Sequence, residues 1–250
     1  MHQLQEDHSD ATVELEVRGR VGIAAELASE VDAPCRWLDV GCASGYLIAA
    51  ASRLGHSTQG VEISEWAAGF AVDKMGLDVF HGTLAEFARR MPGRCFNLIT
   101  AMAYLEHSPS PMQDMRLLAG LLEPGGALVL RVPNLASFDR HWHGDLWRGW
   151  SLPYHLHHFS PRDMHYLAHE AGLMVYRLDK GFWNPIVHAR EALRGEGRRA
   201  DHPLEGRPSL KSEAASGRAH VVGQATMRGR VKARLGELLS GRDMVVYARK

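Results

Sequence analysis

The 250-residue chain is 45% hydrophobic and 23% charged, with 29 basic residues balancing 29 acidic ones. That suits one globular domain with a real core and an added lobe, and the zero formal net charge offers no electrostatic footprint for nucleic acid. No apolar run approaches the ~20 residues of a membrane-spanning helix, and the polar start MHQLQEDHSD lacks the apolar centre of a signal peptide, so a cytoplasmic location is expected.

The first thirty residues are expected to form an N-terminal helical segment. Cys35, Cys42 and Cys95 are odd in number and irregularly spaced, which fits reduced thiols better than disulfides or a zinc site. RWLDVG (36–41) reads as strand 1, running into a Gly-rich turn. YLIAAASRL (46–54) is a helix by propensity, STQGVEIS (57–64) is strand 2, and EWAAGFAVDKMG (65–76) is a helix stopped by Gly76. DVFHG (78–82) reads as strand 3, LAEFARRM (84–91) as a helix and FNLITAMA (96–103) as strand 4. MQDMRLLAGLL (112–122) is a helix, and PGG turns the chain into strand 5, ALVLRVP (127–133). Strands alternating with helices of about 10 residues predict a parallel sheet with right-handed crossovers.

The rhythm breaks after Asn134. Residues 138–160 are rich in aromatics and histidine without a clear period, and read as a long, partly ordered loop that closes over a ligand. Trp142, Trp147, Trp150, Tyr154 and Phe159 are its candidate apolar wall. Ser160, Pro161 and Asp163 then carry the start signals of a helix that stops at Gly172. LMVYRLDKG (173–181) is strand 6, and DMVVYARK (243–250) is the last strand. Residues 182–240 read as an insertion, polar over 190–219, with a basic amphipathic helix at 227–239 that packs on the surface or meets a partner or a membrane surface.

The chemistry-bearing signals start at the turn after strand 1. Gly41 and Gly45 let the backbone approach a ligand closely. They do not supply the G-x-G-x-x-G spacing of a dinucleotide dehydrogenase, because Ala43 holds the middle position. Glu62, at the end of strand 2 and about 20 residues past the turn, is placed to accept hydrogen bonds from both hydroxyls of a ribose.

Taken with three further segments, these residues resemble the class I S-adenosylmethionine-dependent methyltransferases. The subgroup is the one similar to the ubiquinone-biosynthesis O-methyltransferases and the methyltransferases of sugar and secondary-metabolite clusters. LDVGCASG resembles the first motif of that family, GVEIS its ribose-binding motif, and AYLEHSPSP its strand-4 segment with a Glu-His pair. LLEPGGALVLRVPN and YHLHHFSPRDMHYLAHEAGL resemble its later motifs. The resemblance covers roughly 35–180 and implies a Rossmann-like, doubly wound, seven-stranded α/β sheet, mostly parallel with an antiparallel last strand. It places the methyltransferase domain at 31–181 and 241–250.

The implied cofactor is S-adenosylmethionine, held by Asp39, Gly41, Cys42, Ala43, Gly45, Tyr46, Glu62, Ile63, Thr83, Leu84 and Ala101. Asn97 and Thr83 stand where the family usually has aspartates. The implied reaction is methylation, O-directed, of a small-molecule acceptor. The base is expected where strand 4 ends, because ligands bind beyond the carboxyl ends of parallel strands. His107 is the candidate, oriented by contacts that include Glu106, with His157 as its rival. The cluster His141, His143, His155, His157 and His158 lacks nearby cysteines, and no metal site is expected from its spacing. A module that binds the cofactor without catalysis, in support of a partner, is the alternative of a different class.

Overall fold

A computed structural model of the chain describes residues 9–182 and 240–250. The strands are β1 (Arg36–Val40), β2 (Ser57–Glu62), β3 (Val79–His81), β4 (Phe96–Met102), β5 (Leu122–Pro133), β6 (Met174–Phe182) and β7 (Ser240–Arg249). They form one sheet in the order β3-β2-β1-β4-β5-β7-β6. β7 lies between β5 and β6 and runs antiparallel to both, while the other pairings are parallel. The Rossmann-like, seven-stranded, mostly parallel architecture implied by the motifs is what the chain adopts.

The period-two alternation of the strands sorts the core into two layers. Leu38, Val40, Ile99, Ala101, Leu128 and Leu130 join one cluster, which packs under α4 (Leu84–Arg90), α5 (Pro111–Leu121) and α7 (Pro161–Glu170). Trp37, Leu98, Ala127 and Val129 join the other, under α1 (Asp10–Ala28) and α2 (Tyr46–Arg53). α2 carries Ala49, Ala50 and Ala51 against α1, and small side chains at a helix contact let the two backbones come close. Each fully buried aromatic, such as Trp37, removes roughly 150–250 Å² from water.

Three local departures from the sequence reading have physical causes. The helix expected over 65–76 is α3 (Glu65–Gly69) and then a π-helical turn, Phe70–Lys74, which sets the Phe70 ring on the Trp66 ring at 5.8 Å. The PGG segment, expected as a turn leading into strand 5, lies inside β5. β5 runs through it with a register shift between Phe96 and Leu98. Gly125 supplies the left-handed step (φ +78), and a Cβ at Gly126 would sit 2.8 Å from the Asn97 carbonyl oxygen.

The third departure is the segment 138–160. It contains α6 (Phe138–His143), capped by Ser137, and a 3₁₀ turn, Gly144–Leu146. Trp147 is buried there, donates its indole N–H to Asp139 Oδ2 at 3.0 Å, and meets Trp150 edge-on at 5.3 Å. Leu135 N–H donates to the Phe159 carbonyl at 2.8 Å, closing the segment onto the end of β5. The expected partly ordered loop is thus a packed subdomain, and the apolar wall splits. Trp147 and Phe159 are buried, while Trp142 and Tyr154 are exposed together with Leu146, Leu152 and Leu156. Most of the insertion expected at 182–240, including the basic helix at 227–239, lies outside the described residues. Among those residues, no helix is long and apolar enough to cross a membrane.

Candidate active site

The carboxyl ends of β1, β2 and β4 meet around two clusters of polar groups. The first is the turn after β1. Gly41 (φ +72), Ala43 (φ +49) and Gly45 (φ +77) all take left-handed conformations. A Cβ at Gly41 would lie 3.1 Å from Tyr104 Cδ2, and one at Gly45 would lie 2.6 Å from Leu77 Cδ1. Both positions favour glycine by their left-handed conformation, and an added Cβ would also crowd these neighbours. Ala43 holds the same conformation with a methyl group, at a cost of roughly 1–2 kcal/mol.

Hydrogen bonds hold this turn in place. Gly41 N–H and Cys42 N–H donate to the Val61 carbonyl at 2.8 and 3.2 Å, and Gly45 N–H donates to the Cys42 carbonyl at 3.0 Å. Glu62 joins the two loops: its Oε2 accepts from Ala43 N–H at 2.9 Å and its Oε1 from Ser64 N–H at 2.8 Å. Each carboxylate oxygen keeps a further lone pair, so Glu62 retains acceptor capacity for a pair of ligand hydroxyls.

Beneath the turn lies Asp39. Trp37 Nε1 donates to Thr100 Oγ1 at 2.8 Å, and that hydroxyl donates to Asp39 Oδ1 at 2.6 Å. Burial, with the Glu62 charge adding to it, lifts the Asp39 carboxyl from 3.8 to about 7. Burial likewise pushes the Cys42 thiol up, beyond the range in which it ionises near neutral pH. The Arg20 guanidinium lies over the Tyr46 ring at 5.0 Å, and Phe70 meets that ring edge-on at 6.2 Å. Ile63 and Trp66 are exposed beside Glu62 and give this end of the site an apolar rim.

The remaining cofactor candidates are placed differently. Thr83 begins α4, on the same end of the sheet as Glu62, since Glu62 pairs with His81. Its hydroxyl donates to the Glu86 carboxylate at 2.9 Å and accepts from Glu86 N–H at 3.2 Å, so helix capping competes with the adenine contact expected of it. Leu84 and Ala101 are buried in the core cluster. Asn97 is at the far end of β4, where Oδ1 accepts from Arg36 N–H at 2.7 Å.

The second cluster follows β4 in a 3₁₀ turn, Leu105–His107. The Glu106 side chain is buried, with Oε2 lacking a hydrogen-bond partner among the described residues. Burial lifts its carboxyl from 4.5 to about 7, the Asp243 charge adding and Arg131 opposing. The Glu106 carbonyl accepts from Leu156 N–H at 2.8 Å and His157 N–H at 3.2 Å, which ties this turn to the 138–160 segment.

His107 is exposed, and its Nδ1 lies 2.9 Å from the Tyr154 carbonyl oxygen. A carbonyl only accepts, so Nδ1 carries the proton and Nε2 keeps the lone pair. His155 has the same arrangement, with Nδ1 2.8 Å from the Gly149 carbonyl oxygen. The two imidazoles meet edge-on at 4.8 Å, and burial lowers the pKa of His155.

The histidine of 138–160 that reaches His107 is therefore His155. The expected rival, His157, stacks its ring on Phe159 at 6.0 Å. Sequence reasoning placed His155 in a histidine cluster but not in the site. Its contact with His107 spans most of the chain between β4 and α7, and no local pattern encodes it.

Among known proteins, the methyltransferase domain family matches residues 15–178 of this chain. A ubiquinone biosynthesis O-methyltransferase of Aromatoleum aromaticum is 33% identical over 104 residues, 40% of this chain and 44% of that protein. The chain spans about half the length of the first curated relatives it matches. A SAM-dependent methyltransferase from Archaeoglobus fulgidus has a similar fold, with a TM-score of 0.58 at 17% identity, over 96% of this chain and all of the other (100%). The magnesium protoporphyrin IX methyltransferase from Synechocystis, solved with bound SAH, gives 0.56 at 13% identity over 100% of this chain and 90% of the other. With the family matching well over half of its length, and with this sheet order, the chain belongs to the class I S-adenosylmethionine-dependent methyltransferases.

Proposed function

We propose that the protein transfers the methyl group of S-adenosylmethionine to a hydroxyl of a small-molecule acceptor. The observation that carries this reading is the bond from Ala43 N–H to Glu62 Oε2 at 2.9 Å, which fixes the Gly-rich turn and the acid as one rigid cradle. The cradle fits the cofactor: a close-approach backbone at Gly41 and Gly45, and an acceptor carboxylate for a diol about 20 residues further on.

Bound S-adenosylmethionine supplies an electrophilic sulfonium methyl. The protein's share is alignment, which contributes several kcal/mol by holding acceptor oxygen, methyl and sulfur in line. The second cluster supplies proton removal. His107 Nε2, left with its lone pair by the Nδ1 contact to Tyr154, would take the acceptor's hydroxyl proton. The exposed Leu152, Tyr154 and Leu156, on the stretch hydrogen-bonded to this cluster, favour an acceptor with an apolar or aromatic body. The likeness to a ubiquinone biosynthesis O-methyltransferase supports transfer to oxygen.

The test is release of S-adenosylhomocysteine with a panel of catechols, phenols and sugars. Turnover with hydroxylated rings and none with their methyl ethers is expected. Cofactor binding without release across the panel would instead give the non-catalytic module.

A further inference from the structure

Glu106, His107 and His155 each offer one ligand atom, and these atoms all lie within 4.8 Å of one another. Both histidines have Nδ1 within 2.9 Å of a backbone carbonyl oxygen, Tyr154 for His107 and Gly149 for His155. That leaves both Nε2 lone pairs available and fixes each ring by an outer hydrogen bond, the arrangement that orients histidine ligands around metals. The third donor is the Glu106 carboxylate, whose Oε2 is buried and without a hydrogen-bond partner. A buried acceptor left unpaired is costly and demands a partner.

We propose that Glu106, His107 Nε2 and His155 Nε2 form a binding site for a first-row divalent cation such as Zn²⁺. Spacing along the sequence gave no sign of this site, because its ligands come from two segments joined only by the fold. Two imidazoles and one carboxylate suit Zn²⁺ and its neighbours rather than Mg²⁺, which prefers oxygen ligands. Three protein ligands leave a position open, as in catalytic rather than structural zinc sites. Zn–N distances of about 2.0–2.1 Å require the three donors to draw together on binding. Exposed His107 is the ligand freest to move.

The inference rests on the methyltransferase reading only for the cation's use. When it is bound, its charge acidifies the acceptor hydroxyl and His107 serves as ligand. Without it, His107 Nε2 takes the proton itself.

The experiment is calorimetric titration of Zn²⁺ into protein stripped by a chelator, with no cofactor or acceptor present, so the outcome is independent of methyl transfer. One equivalent is expected to bind, with Mg²⁺ far weaker. His155→Ala and Glu106→Gln should each weaken Zn²⁺ binding by about 100-fold, while His165→Ala, on the exposed face of α7, should leave it unchanged. If Glu106→Gln does not fold by circular dichroism, His155→Ala and His107→Ala carry the test. Wild-type protein that binds no stoichiometric Zn²⁺, or His155→Ala that binds it as wild type does, overturns the proposal.

Discussion

His107→Ala is expected to lower kcat by a factor of about 10²–10⁴ while leaving S-adenosylmethionine affinity near that of the wild type. The effect is specific because His107 is exposed and, among the described residues, its side chain makes one hydrogen bond, to the Tyr154 carbonyl. Losing that bond costs the fold only about 1 kcal/mol. Its position sets it apart from the other histidines: it follows β4 directly, and His155 packs on its ring. His157→Ala is expected to keep most of the turnover, since its ring is occupied by Phe159. Steady-state kinetics with a hydroxylated acceptor decide the matter. Unchanged kcat in His107→Ala, with turnover lost in His157→Ala, would move the reactive pole to the other histidine.

Stability of the cofactor-free protein is expected to fall as pH rises from about 4 to about 7. Asp39 is the first cause. Its folded-state carboxyl titrates at about 7, against 3.8 in its ordinary setting, because it is buried. Below pH ~4 it is neutral in both states and favours neither. Between the two values the unfolded chain releases its proton and the folded chain does not, so stability is lost with rising pH and levels off above the folded value. The full effect is on the order of 4 kcal/mol.

Glu106, lifted to about 7 by burial, adds a second contribution of the same sign. Asp39→Asn keeps an oxygen to accept from Thr100 but removes the ionisation. Urea unfolding at pH 5 and pH 8 should therefore show roughly half the wild-type pH dependence in Asp39→Asn. Equal dependence in both proteins would show that Asp39 is not a buried acid in solution.

What the sequence made legible was local. The turn after β1 could be read because glycine at positions 41 and 45 has a conformational reason that acts within a few residues. Glu62 could be read because strand length and crossover length place it at a fixed distance from that turn. The start of α7 was legible because Ser160 and Asp163 form a capping box, with Pro161 at the first helical position.

What escaped depended on contacts that no local pattern announces. Trp147 read as part of an apolar wall over the ligand, because no local pattern announces the Asp139 carboxylate that receives its indole N–H. His155 read as one of a crowd because its partner lies across the fold, beyond β4. Thr83, expected at the adenine, also caps α4, a second role for its hydroxyl that the sequence reading did not assign.

The central claim is that the Gly41–Gly45 turn and Glu62 together hold S-adenosylmethionine. Calorimetric titration of S-adenosylhomocysteine into the wild type and Glu62→Ala tests it most directly. One molecule per chain is expected to bind the wild type, and the substitution should weaken binding by ~1–3 kcal/mol, the scale for hydrogen bonds to a charged group. No saturable binding to the wild type, or equal affinity in the two proteins, would contradict the claim.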